Sequence, residues 1–135
     1  IPVGLGTDGA ASNNSLDLLG DLKTFALLQR HAAVDPAVVP VPEVLALATG
    51  ALSPALHPKS GIAVYDRADF SLVNQQAPEL VIGNLEANLV YAASSSVVRT
   101  VVVAGQVVVS DGAVNDEVEI LTECQARAAR LRTAG

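Results

Sequence analysis

An apolar run, Ile1 to Leu5, passes into Gly6-Thr7-Asp8-Gly9 and a polar stretch through Ser15 before any helical periodicity begins. Leu18, Leu19, Leu22, Phe25, Ala26 and Leu28 then recur at three- and four-residue spacing and form one apolar stripe. The order predicts a strand, a polar loop and a helix over about Ser15 to His31. Asp8 falls at the C-terminal end of that strand, where ligands and chemistry gather in barrels and open α/β sheets. Ser12, Asn13 and Asn14 precede the helix as caps. Asp17 and Asp21 lie in its early turns and Arg30 and His31 in its last, both favourable to the helix dipole. His31 is therefore read as a helix-end charge rather than a ligand.

Beyond the helix, Ala32 to Pro40 reads as a loop, and Pro42-Glu43 opens a second, buried helix, since proline suits a first turn. Pro54 and Pro58 prevent a long continuation. From Gly61 the pattern changes to strands: Ile62-Ala63-Val64, then Asp69 to Val73. Asn74 to Asn88 reads mostly as loop, with Leu80-Val81-Ile82 as an apolar packing segment. Val97 to Val103, Ala104-Gly105 and Gln106 to Ser110 form the clearest hairpin, β-branched and apolar enough to expect burial on both faces or against a partner subunit. Asp116 to Arg132 forms a final helix, acidic at its start and basic at its end. Leu121, Cys124, Ala128 and Leu131 share one face, so Cys124 is expected in a core.

Composition narrows the function classes. The net charge of −6, without a Lys/Arg cluster, argues against nucleic acid as a partner. No apolar run approaches the roughly 20 residues of a membrane span, and no charged n-region marks a signal peptide. A single Cys excludes an internal disulfide and fits a reducing, cytoplasmic setting. Half of the residues are hydrophobic and only 3% aromatic, so much apolar surface has few bulky groups to bury it. The chain has no Met and begins inside an apolar run. It is read as a piece of a longer protein.

Gly6-Thr7-Asp8-Gly9-Ala10-Ala11-Ser12-Asn13-Asn14, followed by Leu16-Asp17, resembles the last barrel strand and loop of the metal-dependent amidohydrolase superfamily. The nearest branch is the methylthioadenosine/S-adenosylhomocysteine deaminases and related chlorohydrolases. Looser resemblance extends to Gly112, through Arg67-Ala68-Asp69-Phe70, Leu89-Val90-Tyr91-Ala92 and the hairpin. The resemblance implies an α/β fold: the C-terminal part of a (β/α)8 barrel over residues 1–60, part of a small β-sandwich over 61–114, and a terminal helix over 115–135. It implies that Asp8 is a metal ligand and catalytic proton acceptor. Zinc is the expected ion, with iron or manganese as alternatives. Asn13 is a weaker candidate for substrate contact. The family's remaining ligands are histidines, including a His-x-His pair that this sequence lacks. His31 and His57 match no ligand position.

The activity implied is hydrolytic deamination, or a related displacement, of an adenosine-like or other N-heterocyclic substrate by metal-activated water. The complete enzyme is expected to be a homo-oligomer, and the chain alone inactive. The alternative is a truncated, non-catalytic structural or interaction module. Gly4-x-Gly6-x-x-Gly9 mimics a dinucleotide fingerprint, but no clear βαβ unit with a ribose-binding acid follows, and Asp8 would repel phosphate.

Overall fold

The structure, a computed structural model, describes residues 2–53 and 61–133. Its elements are α1 (Leu18–Ala33), α2 (Val41–Ala48), β1 (Phe70–Val73), α3 (Leu85–Tyr91), a 3-10 turn (Ser95–Val97), β2 (Val98–Val103), β3 (Gln106–Ser110), β4 (Ala113–Val114) and α4 (Glu117–Thr133). They divide into two compact units: Ile1–Asp66 with Val73–Val98, and Arg67–Leu72 with Arg99–Gly135.

The first unit is built on three helices. α1 presents Leu22 and Ala26, α2 presents Val44, and α3 presents Val90, each at most 1% exposed. Leu5, Val41, Leu45 and Tyr91 pack around them. A second cluster joins Ala77, Leu80, Ala93 and Val97, and Leu19 of α1 reaches both clusters. Arg30 secures the α1–α2 loop. Its guanidinium donates to the Val38 and Val39 carbonyls and lies 5.3 Å from the centre of the Tyr91 ring.

The sequence places α1 nearly where the structure does, but its start differs. The cap is Asp17, whose carboxylate accepts from the Leu19 and Gly20 N–H groups. Ser12, Asn13 and Asn14 lie upstream and build the loop instead. Leu16 has φ of +47° and turns the chain between loop and helix. α2 begins one residue before the expected Pro42.

Three strand or loop expectations are corrected. Residues 2–8 form no strand among the described residues, because a strand is defined by a ladder and Leu5 pairs with none. Its N–H bonds instead to the Leu47 carbonyl at the end of α2. The alternation of a strand survives nevertheless: Leu5 and Thr7 are half-buried, whereas Gly4, Gly6 and Asp8 are exposed. Ile62-Ala63-Val64 is an exposed turn region rather than a strand, and Tyr65 beyond it has φ of +73°. The end of the expected loop, from Leu85, instead opens α3, which runs on through Tyr91 and is capped by the Asn84 side chain on the Ala87 N–H. Leu80 packs as foreseen, but Val81 and Ile82 are exposed.

The second unit carries the sheet, ordered β1-β2-β3-β4. β2 and β3 run antiparallel, pairing Val103 with Gln106 across an Ala104-Gly105 turn. Both turn residues have positive φ, +50° and +79°, the geometry that suits the strand twist. The register shifts between Val101 and Val102. The strands are half-buried rather than covered on both faces. α4 has no buried residue among those described, and Cys124 is exposed. The expectation of a core cysteine fails because periodicity defines an apolar face without supplying anything to cover it. His57 lies outside the described residues.

Candidate functional site

The segment bearing Asp8 is held at both ends. Upstream, Leu5 is packed against the first core cluster and hydrogen-bonded to α2. Downstream, a compact polar loop leads into α1. Between these anchors Asp8 adopts φ of +58°, a region that few side chains tolerate and that Asp enters more readily than most. Its Oδ1 accepts the Gly9 N–H at 2.7 Å. That bond and the Ser12 hydroxyl beside it hold the Asp8 carboxyl below the usual carboxylate range. The side chain is exposed, ionised at neutral pH and an acceptor only.

The loop behind it converges on one carbonyl. Gly9 O accepts from Ser12 N at 3.0 Å, Asn13 N at 2.9 Å and Ser12 Oγ at 3.0 Å. Asn13 is the hub of the loop. Its Nδ2 donates to Asp21 Oδ2 on α1 at 2.9 Å, and its Oδ1 accepts from Ser15 N and Ser15 Oγ. Both ends of its amide therefore have partners within the chain. Asp17 extends the framework further: besides capping α1 it accepts the Ser95 N–H, 78 residues away, at 3.2 and 3.1 Å from its two oxygens. Asp17 is legible in the sequence as a residue of the motif that serves the helix start, but its bond to Ser95 is not. Asp21 reads only as a helix-dipole acid, and its signal is a place in the first turn after a loop rich in side-chain donors.

Small residues surround Asp8, but not because this chain crowds them. A Cβ built at Gly6 or Gly9 meets nothing within 4 Å. Beside the segment, a cavity of about 270 Å³ is lined by Gly4, Leu5, Gly6, Leu47, Ala48, Gly50 and Ser53. It adjoins the backbone leading to Asp8, not the carboxylate.

For a divalent metal, the donor set is a partial fit. Asp8 offers an ionised oxygen ligand on a restrained turn, a donor that divalent metals in general accept, zinc among them. A zinc site takes three or four protein ligands, and among the described residues no three His, Cys, Asp or Glu side chains gather to hold an ion. His31 is exposed in the last turn of α1. No helix among the described residues is long and apolar enough to cross a membrane.

The sequence model of the amidohydrolase family matches residues 1–108, and the chain belongs to that family. Among curated proteins it is similar to the 5-methylthioadenosine/S-adenosylhomocysteine deaminase of Desulforamulus reducens, at 44% identity over 135 residues, covering 96% of this chain and 31% of that protein. It is also similar to the 5'-deoxyadenosine deaminase of Methanoregula boonei, at 42% identity over 129 residues, covering 94% and 29%. Among solved structures it matches an adenosine deaminase from Xanthomonas campestris with bound zinc, with a TM-score of 0.88 and 29% identity, covering 98% of this chain and 32% of that one. A triazine hydrolase variant matches with a TM-score of 0.80 and 31% identity, covering 93% and 29%. The chain thus spans about 31% of the D. reducens relative's length.

Proposed function

We propose that this chain supplies the last strand, loop and helices of a (β/α)8 amidohydrolase barrel, and that the complete enzyme deaminates an adenosine-like nucleoside. The observation that carries the reading is Asp8: an exposed, ionised carboxylate on a restrained turn, inside the stretch matched by the family model. The similarity to deaminases of nucleosides supports the substrate class, and the zinc of one structural relative supports the metal.

Asp8 would hold one coordination position, with histidines from the rest of the barrel completing the set. A divalent ion held there would supply a water of lowered pKa. Asp8 would accept a proton from the attacking water and give it to the departing amine. The Gly9 N–H, and beside it the Ser12 hydroxyl, favour the charged form of this carboxylate. The β-hairpin is proposed as part of the accessory β-sandwich, α4 as the terminal helix beyond it, and the complete cytoplasmic enzyme as a homo-oligomer.

The test is Asp8→Asn in the complete enzyme, with turnover and bound metal measured together. Asparagine keeps the volume and one oxygen but loses the charge and the basic site. Loss of the proton acceptor alone lowers kcat by about a hundred- to ten-thousandfold, and metal content falls as well. Near-normal turnover and metal would reduce Asp8 to a loop residue, and the assignment would fail.

A further inference from the structure

The bond between Asn13 and Asp21 is half-buried, in a loop whose other side-chain hydrogen bonds are mostly exposed. It joins the loop to the helix. Asp21 sits in the first turn of α1, beside Leu22, which is buried in the core. Asn13 belongs to the loop, and its own N–H bonds to the Gly9 carbonyl at 2.9 Å. The Gly9 N–H in turn bonds to the Asp8 carboxylate. A continuous path therefore runs from the helix through Asp21, Asn13 and Gly9 to Asp8. With Ser15 occupying the other end of the amide, Asn13 is held in one orientation.

We propose that Asp21 is a positioning residue for Asp8: through Asn13 it fixes the turn that presents the Asp8 carboxylate, so that Asn13 serves the site from behind rather than by touching substrate. The proposal rests on the reading of Asp8 as the metal-binding carboxylate. Groups hydrogen-bonded directly to metal ligands govern about 10–100-fold in metal affinity or activity. The Asn13–Asp21 pair acts one residue further back, through Gly9, so the low end of that range, about tenfold, is the expected effect.

The pair permits a swap experiment. In N13D alone, two carboxylates face one another and the bond is lost. In the double variant N13D/D21N, donor and acceptor exchange places, and the Ser15 donors still find an acceptor. Measured in the complete enzyme, N13D is expected to lower kcat and zinc content about tenfold, and N13D/D21N to recover both to within about threefold of the parent. D21A should lower kcat and zinc content about tenfold with KM within about twofold. D21N, which keeps one acceptor oxygen, should be mild. In the metal-free 135-residue chain, D21A should speed hydrogen exchange at the Asn13 amide.

Failure of N13D/D21N to improve on N13D would overturn the proposal, because it would show that the Asn13 amide is needed for itself. So would normal kcat and zinc in D21A, or unchanged exchange at Asn13. Asp8→Asn serves as the reference. If it abolishes activity and D21A does not, the positioning role fails alone. If Asp8→Asn is also harmless, the assignment of Asp8 fails, and the proposal fails with it.

Discussion

Replacing Asp17 should separate two contributions made by one carboxylate. Its Oδ1 accepts Leu19 N at 3.1 Å and Gly20 N at 3.3 Å, capping α1, while Ser95 N lies 3.2 and 3.1 Å from its two oxygens. Asp17→Ala removes both functions. Loss of the cap costs about 1 kcal/mol, and loss of a hydrogen bond to a charged group about 1.5 kcal/mol at the low end, which suits the exposed Ser95 site. The sum is about 2–3 kcal/mol. Asp17→Asn should retain the cap, since Asn caps as well as Asp. It gives up only the Oδ2 share of the Ser95 bond and the charge, or about 0.5–1 kcal/mol. For a chain of this size each kcal/mol lowers Tm by about 3–5 °C. Urea titration monitored by circular dichroism reads both variants directly. If Asp17→Asn matches the parent and Asp17→Ala loses less than about 1 kcal/mol, the long-range bond contributes nothing and the reasoning is wrong.

Two further outcomes follow from exposure and charge. Cys124 lies on the uncovered face of α4, so in native 135-residue chain it should react with a thiol reagent about as fast as in denaturant; protection by more than about tenfold would show the face covered, as for a thiol buried in apolar surroundings. The Asp8 carboxyl is held below its usual value of 3.8 by the Gly9 N–H and Ser12, so its contribution is present above that value and is lost as pH falls through the lower folded value. Carbon-detected NMR titration should show Asp8 titrating below an Asp in an unfolded peptide, and Asp8→Asn should remove that acid-side loss; a midpoint at or above the peptide value would contradict it.

The sequence made some elements legible and hid others for physical reasons. α1 and α4 are long enough for helical periodicity to declare itself, and the Val-rich hairpin needed only its two-residue turn. α3 is seven residues long, close to Pro78 and Gly83, and its Leu85, Leu89 and Val90 are too few to outweigh those breakers. Three apolar residues at Ile62 to Val64 look the same in a strand and in an exposed turn. The run before Asp8 keeps a strand's alternation without a ladder, because pairing is a property of neighbours rather than of a segment. Asp8 is singled out by the residues around it, and Asp17 caps the helix start as its position suggests. The bonds of Asp21 to Asn13 and of Asp17 to Ser95 are not legible, since a helix-dipole acid and a structural hub carry the same letter. The exposure of α4 likewise depends on what lies against it, which no periodicity records.

Asp8 is proposed as the ligand that this chain contributes to a catalytic metal. Anomalous diffraction at the zinc edge, on crystals of the complete enzyme, tests it most directly. The account predicts one peak with an Asp8 carboxylate oxygen at about 2.0–2.2 Å, and its loss in Asp8→Asn crystals. A peak whose nearest Asp8 oxygen is beyond about 3 Å, well outside zinc–oxygen bonding distance, would contradict it.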